Sequence, residues 1–593
     1  MKRCNIILFA GFLILCTNLF GQEESPIPKI SKQLEAYLKA VPKEKLYVET
    51  DKDIYKPGET LWFNAWTENC NPDDSKIKSS ELILTIYDDN GETIKQDKYK
   101  LEDGTAHGDF DLPEDLLKGT YYLSAYSEST KRPGDTFIKT FQVNPFYHDD
   151  VIVQIIPSKE VAVAGLETTF YILVNDLNGN PVEKQSMNYE ILDGDNTVDK
   201  GKIKTDEKGR STILFKMPDK SSGKPLILEI SDRKETWIEK RVISSSLDQV
   251  DLVFYPEGGN VLPGVPVKIG FTAKNKWGQP INIEGQIRDN KGDLVSMVKS
   301  FVPGFGLFSL AADPEKQYHL ELTSETGKGQ IFLLPNASTE KTGLAVSRMD
   351  DQYIYLDVYA PQHIENYPCA LTVTGCTGMS WAADLTVNKA SRFKIPITNL
   401  PQGINQLSLF SKDGSLVAHR IVYIQKNRQV NVQINMSESI LAPGETGEFK
   451  ITLTDQNNNP VQGNISLSIR DKENTLPNED ALFSYLELNS KLKNTIPQEM
   501  NTPSSRIFDY MLIANEMKDF NWDKIMQYDS TGSENNSSIS GTVIDNDGKP
   551  VPNAKVSLVQ KRSIQFFSEV ADDNGHFIIP GIDPDKKDEY GKA

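Results

Sequence analysis

A tight turn followed by an apolar strand recurs along this chain, and this repeat restricts the possible folds more than any other feature. The first copy, residues 54–66, reads I-Y-K-P-G-E-T-L-W-F-N-A-W, with Pro57 and Gly58 suited to the second and third positions of the turn. Its glycine recurs as Gly165, Gly264 and Gly444, and the residues five positions after the four glycines are all bulky and apolar: Phe63, Phe170, Ile269 and Phe449. Each copy therefore predicts a turn and a buried strand.

A second spacing predicts a further strand in each copy. Pro181, Pro280 and Pro460 lie sixteen residues after their glycines, behind turn-forming residues and ahead of a β-branched residue, whereas Pro72 in the first copy lies at fourteen. Copies spaced by roughly one hundred residues are domains. Together with short strands and frequent turn signals, this predicts an all-β chain of tandem immunoglobulin-like antiparallel β-sandwiches with short helical insertions.

The repeat and the composition between its copies predict the domain boundaries. A chain of 593 residues is too long for a single core. The predicted segments are a signal peptide at 1–21, a helical lead at 22–43, sandwiches at 44–146, 147–247, 248–336 and 337–425, a sandwich with a helical segment at 426–529, a linker at 530–538 and a final, short sandwich at 539–593.

Helical periodicity is confined to a few stretches. Apolar residues at helical spacing predict an amphipathic helix over residues 30–41, which we expect to cap the first sandwich. The same pattern predicts helices over residues 481–492 and 506–520.

The N-terminus has the pattern of a secretory signal peptide. Lys2 and Arg3 precede an apolar stretch over residues 6–15, and we expect cleavage after Gly21. Lipidation at Cys16 is the less favoured alternative, because Leu15 is large where a small residue is needed. The protein is therefore expected to be exported, to the periplasm, the outer membrane or the medium.

The net charge argues against one class of partner, and the hydropathy argues against a membrane span. The net charge of −19 argues against a nucleic-acid partner and fits an exported protein kept soluble by its acidity. After the N-terminus no apolar run approaches the roughly twenty residues that span a bilayer, so no membrane span is predicted.

Three cysteines remain after the predicted cleavage: Cys70, Cys369 and Cys376. Their odd number excludes a complete disulfide framework. If Cys369 and Cys376 share one extended strand, their Cα atoms lie about 23 Å apart, beyond disulfide reach. We therefore predict buried free thiols.

No arrangement of residues in the sequence indicates catalysis, and we predict no catalytic, cofactor-binding or metal-binding residues. The six histidines are scattered without zinc spacing, and no nucleophile elbow or phosphate loop is present. Acidic turns such as residues 545–548 and 572–575 lack the alternation of a calcium loop, which favours turn formation over calcium binding.

Trp62, Asn64 and Trp66 fall on one face of the first predicted strand. This face could form an aromatic platform for a sugar or a peptide. Packing within the core or between domains is the favoured interpretation.

Residues 47–66, Y-V-E-T-D-K-D-I-Y-K-P-G-E-T-L-W-F-N-A-W, resemble the second macroglobulin domain (MG2) of the α-2-macroglobulin family, and the later units resemble further macroglobulin-type domains. The run I-S-G-T-V-I-D-N-D-G-K-P-V-P-N-A-K-V from Ile539 resembles the carboxypeptidase regulatory-like domain, which is common in exported proteins of Bacteroidetes-type bacteria.

The first resemblance implies a protease inhibitor, yet this sequence departs from the family at its reactive motif. Thioester-bearing members use a Cys-Gly-Glu-Gln type motif, whereas the nearest run here, residues 375–379, lacks the glutamate and the glutamine. Covalent trapping is therefore not expected.

These observations predict a non-enzymatic, exported macroglobulin-like protein of the bacterial cell envelope that binds proteins or other ligands. The resemblance of the final unit implies a role accessory to an outer-membrane TonB-dependent receptor. The alternative is an endopeptidase inhibitor of the α-2-macroglobulin type that works without thioester trapping. The expected partner is accordingly a receptor or a protease.

Overall fold

The structure is a computed structural model. It describes residues 25–40, 44–69, 79–88, 92–116, 119–130, 136–143, 151–159, 161–176, 179–194, 196–220, 226–233, 238–246, 249–275, 278–426, 430–436, 445–463, 465–468, 482–497, 500, 502, 505–518, 520–528, 538–545, 548–560 and 565–580. The predicted signal peptide, Cys16, Cys70, Gly444 and nearly all of the predicted linker lie outside these residues.

The first sandwich contains eight strands: β1 (Glu44–Thr50), β2 (Ile54–Tyr55), β3 (Thr60–Asn69), β4 (Glu81–Tyr87), β5 (Thr93–Lys100), β6 (Thr105–Asp111), β7 (Gly119–Ser127) and β8 (Phe137–Val143). One sheet has the order β1-β3-β6 and the other β2-β8-β7-β4-β5. All pairs are antiparallel except β2 with β8.

The second sandwich contains β9 (Ile152–Pro157), β10 (Glu167–Asn175), β11 (Ser186–Asp193), β12 (Asn196–Lys204), β13 (Arg210–Lys216), β14 (Leu226–Asp232) and β15 (Ile238–Ile243). Its sheets have the orders β13-β10-β9 and β12-β11-β14-β15.

The third sandwich contains β16 (Val250–Pro256), β17 (Val267–Asn275), β18 (Glu284–Asp289), β19 (Leu294–Val302), β20 (Phe305–Leu310), β21 (Tyr318–Leu322) and β22 (Ile331–Leu333). Its two sheets are continuous, in the order β16-β17-β20-β19-β18-β21-β22, because the end of β19 pairs irregularly with β20.

The fourth sandwich contains β23 (Gly343–Met349), β24 (Tyr353–Tyr359), β25 (Tyr367–Gly375), β26 (Gly378–Val387), β27 (Ala390–Pro396), β28 (Gly403–Ser411) and β29 (Leu416–Ile424). Its sheets have the orders β23-β24-β27 and β26-β25-β28-β29.

The four sandwiches share one topology once the short β2 is set aside. The first, second and fifth strands form one layer, and the fourth, third, sixth and seventh form the other. This arrangement is immunoglobulin-like, and it confirms the predicted all-β class. Each sandwich has a buried apolar core of its own.

The repeated turn has the conformation that the sequence predicts. Gly58, Gly165 and Gly264 have φ angles of 74°, 75° and 68°. The apolar residues that follow, Phe63, Phe170 and Ile269, are 4%, 1% and 0% exposed. Phe449 in the fourth copy is 38% exposed, so the described residues of that copy do not enclose its side chain.

The predicted turns ahead of the prolines pack against a second turn, and this pairing was not recognised in the sequence. The prolines Pro181, Pro280 and Pro550 bridge back to the preceding strand, and a glycine packs over each of them: Gly209 ahead of β13, Gly304 ahead of β20 and Gly575 ahead of β35. The three glycine carbonyls accept hydrogen bonds from Val174, Ala273 and Val543 at 2.8, 3.0 and 2.8 Å. This paired turn closes one end of the second, third and C-terminal units in the same way.

The fifth and C-terminal units are represented by fewer strands among the described residues. The fifth has the hairpin of β30 (Asn431–Met436) and β31 (Phe449–Thr454). The C-terminal unit pairs β32 (Ser538–Thr542) with β35 (His576–Pro580) and β33 (Lys555–Gln560) with β34 (Gln565–Val570). Residues 465–468, which follow the hairpin of β30 and β31 in the sequence, form no strand.

Four α-helices accompany the strands in the described part of the chain: α1 (Ile27–Ala40), α2 (Leu482–Glu487), α3 (Arg506–Ile513) and α4 (Trp522–Gln527), with a 3₁₀ turn at Asn489–Lys491. Among the described helices, none is both long and apolar enough to cross a membrane.

The single helix predicted over residues 506–520 is wrong. Helix α3 begins at the Ser505 cap and ends at Ile513, where Asn515 turns its side chain to bond the backbone of Asn494. The chain becomes helical again only after Asn521, which caps α4. Asparagine side chains that bond the backbone in this way compete with helix continuation.

Candidate functional site

The helices of residues 482–528, here called the junction segment, pack between three of the sandwiches. Helix α2 lies on the first sandwich, where the ring of Tyr485 is 5.7 Å from that of Tyr47 and 5.1 Å from that of Phe137. Lys491 also forms an ion pair with Glu68 of β3 at 3.4 Å. The start of the junction segment is therefore anchored to the first sandwich.

The same helix bonds to the fourth sandwich. Gln402 donates to both carboxylate oxygens of Glu487, at 2.7 and 2.9 Å, and the Tyr423 hydroxyl donates to Glu487 at 3.0 Å. Burial, together with the neighbouring Glu487 carboxylate, raises the pKa of Tyr423 above its ordinary value. Glu487 thus links α2 to two positions on the fourth sandwich.

Helix α3 fills the space between the third and fourth sandwiches. Its residues Phe508, Met511 and Leu512 are at most 2% exposed. They share one cluster with residues of both sandwiches, including Val302, Phe305, Ile404 and Ile421. Burial of apolar surface stabilises the packed state by roughly 25 cal/mol per Å². A cluster of this kind therefore fixes the helix and the two sandwiches against one another.

A buried charge network crosses the same boundary. Arg420 on β29 lies 3.2 Å from Glu257 of the third sandwich and 2.7 Å from Asp509 on α3, measured from guanidinium nitrogen to carboxylate oxygen. Glu257 also accepts from the backbone N–H of Val346 at 3.1 Å and pairs with Lys268 at 3.3 Å. Three separate parts of the chain must be in place for these charges to be compensated.

Polar contacts complete the packing of the junction segment on the third sandwich. Lys274 donates to the Asn494 side chain at 3.0 Å, and Asn494 donates to the Tyr255 hydroxyl at 3.3 Å. Burial lowers the pKa of Lys274, while Asp251 acts in the opposite direction.

Helix α1 packs on the fourth sandwich, so the expectation that it caps the first is wrong. Ile30, Leu34 and Leu38 share a buried cluster with Phe410 of β28 and with Trp522 of α4. The Trp522 indole donates to Ser408 at 2.9 Å. The end of the junction segment supplies the apolar surface that α1 covers, which local periodicity does not reveal.

The structure places Trp62, Asn64 and Trp66 on one face of β3, as predicted, but they do not form an open platform. Trp62 is 55% exposed, whereas Trp66 packs against Tyr47 at 6.1 Å between ring centroids. Asn64 donates to Ser466 of the fifth unit at 3.0 Å. This face makes a contact between units.

The described cysteines are free thiols, and one of them is buried. Burial raises the pKa of Cys369 to about 12, which keeps its thiol protonated. Cys376 is partly exposed rather than buried, because it lies in the turn of the hairpin between β25 and β26.

The carboxylates of the acidic turns accept hydrogen bonds from nearby backbone N–H groups. Asp572 accepts from the N–H groups of Asn574 and His576, both at 2.8 Å, which lowers the pKa of its carboxyl. Among the described residues, no group of three or more His, Cys, Asp or Glu could hold a metal.

Sequence reasoning missed Glu257, Arg420 and Asp509. One weak signal was present: Arg420 interrupts the apolar strand L-V-A-H-R-I-V-Y-I, where a charged residue needs a buried partner. The identity of its partners depends on the arrangement of the sandwiches.

Comparison with known proteins supports the macroglobulin family. Residues 45–143 match the model of the MG2 domain, which covers the first sandwich. Alpha-2-macroglobulin of Thermotoga maritima is 23% identical over 290 residues, a match that covers 47% of this chain and 18% of the relative. The chain thus spans under a fifth of the length of that relative.

Solved structures of larger proteins also align. Trypsin-activated alpha-2-macroglobulin from Escherichia coli aligns at 13% identity and a TM-score of 0.35, over 70% of this chain and 33% of that one. A Salmonella alpha-2-macroglobulin variant aligns at 12% identity and a TM-score of 0.30, over 91% of this chain and 37% of that one. The resemblance of residues 539–593 to a carboxypeptidase regulatory-like domain stays a prediction.

Proposed function

We propose that this chain is a non-enzymatic, exported macroglobulin-like protein of the cell envelope that acts by binding other proteins. The observation that carries the proposal is the junction segment, which packs buried side chains against the first, third and fourth sandwiches. Sandwiches held in a fixed arrangement present their outer surfaces at constant separations. Such a frame suits the recognition of a large partner.

The hairpin at Cys376 supports binding without covalent trapping. The run Gly375-Cys376-Thr377-Gly378-Met379 forms the turn between β25 and β26 and offers no glutamine to close a thioester with the thiol. A partner captured by this chain would therefore be held by non-covalent contacts.

Cell fractionation tests the location. The mature chain is expected in the periplasm, in the outer membrane or in the medium, without residues 1–21. Recovery of the unprocessed chain in the cytoplasm would contradict the proposal.

We further propose that the C-terminal unit docks on an outer-membrane receptor of the TonB-dependent class. The unit contains two separate strand pairs among its described residues, and unpaired strand edges accept strands from other proteins. Co-purification from solubilised outer membranes should recover a receptor with the full chain and lose it with a chain ending at residue 537. Equal recovery with both chains would reject the docking.

A second candidate is an endopeptidase inhibitor, which is favoured by the similarity to an Alpha-2-macroglobulin. Incubation with a panel of proteases should then yield one specific cleavage of this chain and retained, inactive protease. Retention should survive Cys376→Ser and be reversed by denaturant. Proteases that remain active and unbound throughout the panel would eliminate this candidate.

A further inference from the structure

The fifth unit exposes one apolar face of a two-stranded hairpin. Val432, Ile434 and Met436 of β30 are 57%, 54% and 48% exposed, and Phe449 of β31 is 38% exposed. Their cross-strand partners place them on one face, since Ile434 lies opposite Ile451 and Met436 opposite Phe449. An isolated hairpin of this kind is only marginally stable in water.

The complete sandwiches show what covers the equivalent residues. By the repeat spacing, Phe449, Ile451 and Leu453 correspond to Phe170, Ile172 and Val174 of the second sandwich, which are at most 1% exposed. In that unit, residues of the opposite sheet, including Met187, Ile191, Leu228 and Ile230, cover them. The third sandwich buries Ile269, Phe271 and Ala273 completely.

The shared topology also identifies which strand lies beside the second strand in a complete unit. In all four complete units the second strand pairs on one edge with the first strand and on the other edge with the fifth. Among the described residues, β31 pairs along its length only with β30. Its other edge corresponds to the place of the fifth strand.

Two of the described residues after β31 bond to the first sandwich. Ser466 accepts from Asn64 at 3.0 Å, and Ser468 donates to the Asp51 carbonyl at 2.7 Å, both on the first sandwich. Ile465 and Leu467, on the alternate positions, are each 51% exposed. This stretch therefore carries exposed apolar side chains of its own.

We propose that the hairpin of β30 and β31 binds an extended strand of another polypeptide, which adds antiparallel to the edge of β31 that faces away from β30. The complete units define the chemistry of this strand. In the second sandwich, Ile213 and Phe215 of the fifth strand lie opposite Phe170 and Thr168 of the second strand. In the third sandwich, Phe308 lies opposite Ile269. The bound strand therefore carries apolar residues at alternate positions, the first opposite Phe449.

The flanks of the bound strand are basic. The net charge of the chain is −19, so long-range attraction favours cationic segments. The fifth strand of the second sandwich has this character, with Arg210 and Lys216 at its two ends. Backbone hydrogen bonds would supply affinity and the alternate apolar side chains would supply selectivity, as in other cases of strand addition.

A peptide with the sequence of residues 210–216, R-S-T-I-L-F-K, serves as the probe. Binding of the labelled peptide to the full chain is measured by fluorescence anisotropy. The control peptide carries serine in place of Ile213 and Phe215. We expect saturable binding of the first peptide and at least tenfold weaker binding of the control; no saturation up to about 1 mM would overturn the inference.

Two protein variants locate the site. Phe449→Asp, at the β31 residue that the added strand lies opposite, should weaken binding at least tenfold, whereas Met297→Asp, at an exposed apolar residue of the third sandwich, should leave it unchanged. Amide exchange should show new protection in β31 of the unmodified chain. Equal effects of the two variants, or protection confined to another strand, would overturn the inference.

The inference goes beyond the proposed envelope role and can fail separately from it. Fractionation and the protease panel do not use the hairpin. Loss of peptide binding would leave those results standing, and a cytoplasmic location would leave the strand site open to the same test.

Discussion

Arg420 of the fourth sandwich and Glu257 of the third form a buried ion pair, 3.2 Å between Nε and Oε1, with side chains only 2% and 3% exposed. Burial acts to lower the pKa of the guanidinium, but the Asp509 and Glu257 carboxylates outweigh it and raise that pKa. Taking charges out of water is repaid only when every partner is in place. The pair therefore specifies how the third sandwich, the fourth sandwich and α3 fit together.

Replacing this arginine should destabilise the protein strongly. Arg420→Met leaves the Glu257 carboxylate buried without its guanidinium partner, and the expected loss in the free energy of unfolding is about 3 to 5 kcal/mol. The matched control is Arg392→Met, which removes an exposed pair with Asp357 at 2.6 Å and should cost at most about 1 kcal/mol. Urea unfolding measures both. Equal losses would show that the buried network does not hold the boundary.

The paired turn makes a specific prediction at Gly209. A Cβ at this residue would lie 2.3 Å from the Val174 carbonyl oxygen, in addition to the strain of a φ of 68°. Gly209→Ala should therefore destabilise the second sandwich by about 3 kcal/mol or more. Gly179→Ala is the control, because that residue has a φ of 82° with no atom near its Cβ position; it should cost about 1 to 2 kcal/mol. Similar costs would contradict the account.

Acidification should weaken the contact between the third and fourth sandwiches at His419. Burial lowers the pKa of this imidazole, with Glu516 acting in the opposite direction, and its backbone N–H donates to Gly258 of the third sandwich at 3.4 Å. In the unfolded chain the imidazole of His419 binds a proton below about pH 6.5, whereas in the folded protein it stays neutral until the pH falls further. Stability is therefore complete above that pH and falls as the pH drops through the folded pKa.

Thermal unfolding between about pH 7.5 and pH 5.5 tests this titration. The His419→Gln variant should lose part of the pH dependence of the melting temperature. The same change at the exposed His107 should leave the dependence as it is. An unchanged dependence of the melting temperature on pH in the His419 variant would exclude this imidazole as its source.

The sequence allowed the sandwich repeat to be predicted but not the packing of the helices. Period-two burial around Phe63 or Phe170 depends on neighbours within about one hundred residues, so local spacing reveals it. Leu34 and Trp522 meet only because the fourth sandwich brings them together, and nothing near either residue indicates the other. The ion pairs of Arg420 could not be predicted for the same reason, because its partners lie far away in the sequence.

The docking of α1 on the fourth sandwich depends on Trp522. Trp522→Ala should lower the free energy of local opening of α1 by about 3 to 5 kcal/mol, because it removes a buried indole. Trp522→Phe keeps an aromatic ring and loses chiefly the bond to Ser408, so about 1 kcal/mol is expected. Amide exchange in α1 measures both. If neither change affected α1, the helix would be held by some other surface.

The junction segment joins the first, third and fourth sandwiches into one frame, while the second keeps a separate core. The decisive measurement is amide exchange in the core strands β3, β17, β28 and β10, compared between the unmodified chain and Arg420→Met. Protection should fall together in β3, β17 and β28 and stay unchanged in β10. Loss of protection confined to β17 and β28, or an equal loss in all four strands, would show that the three sandwiches do not form one frame.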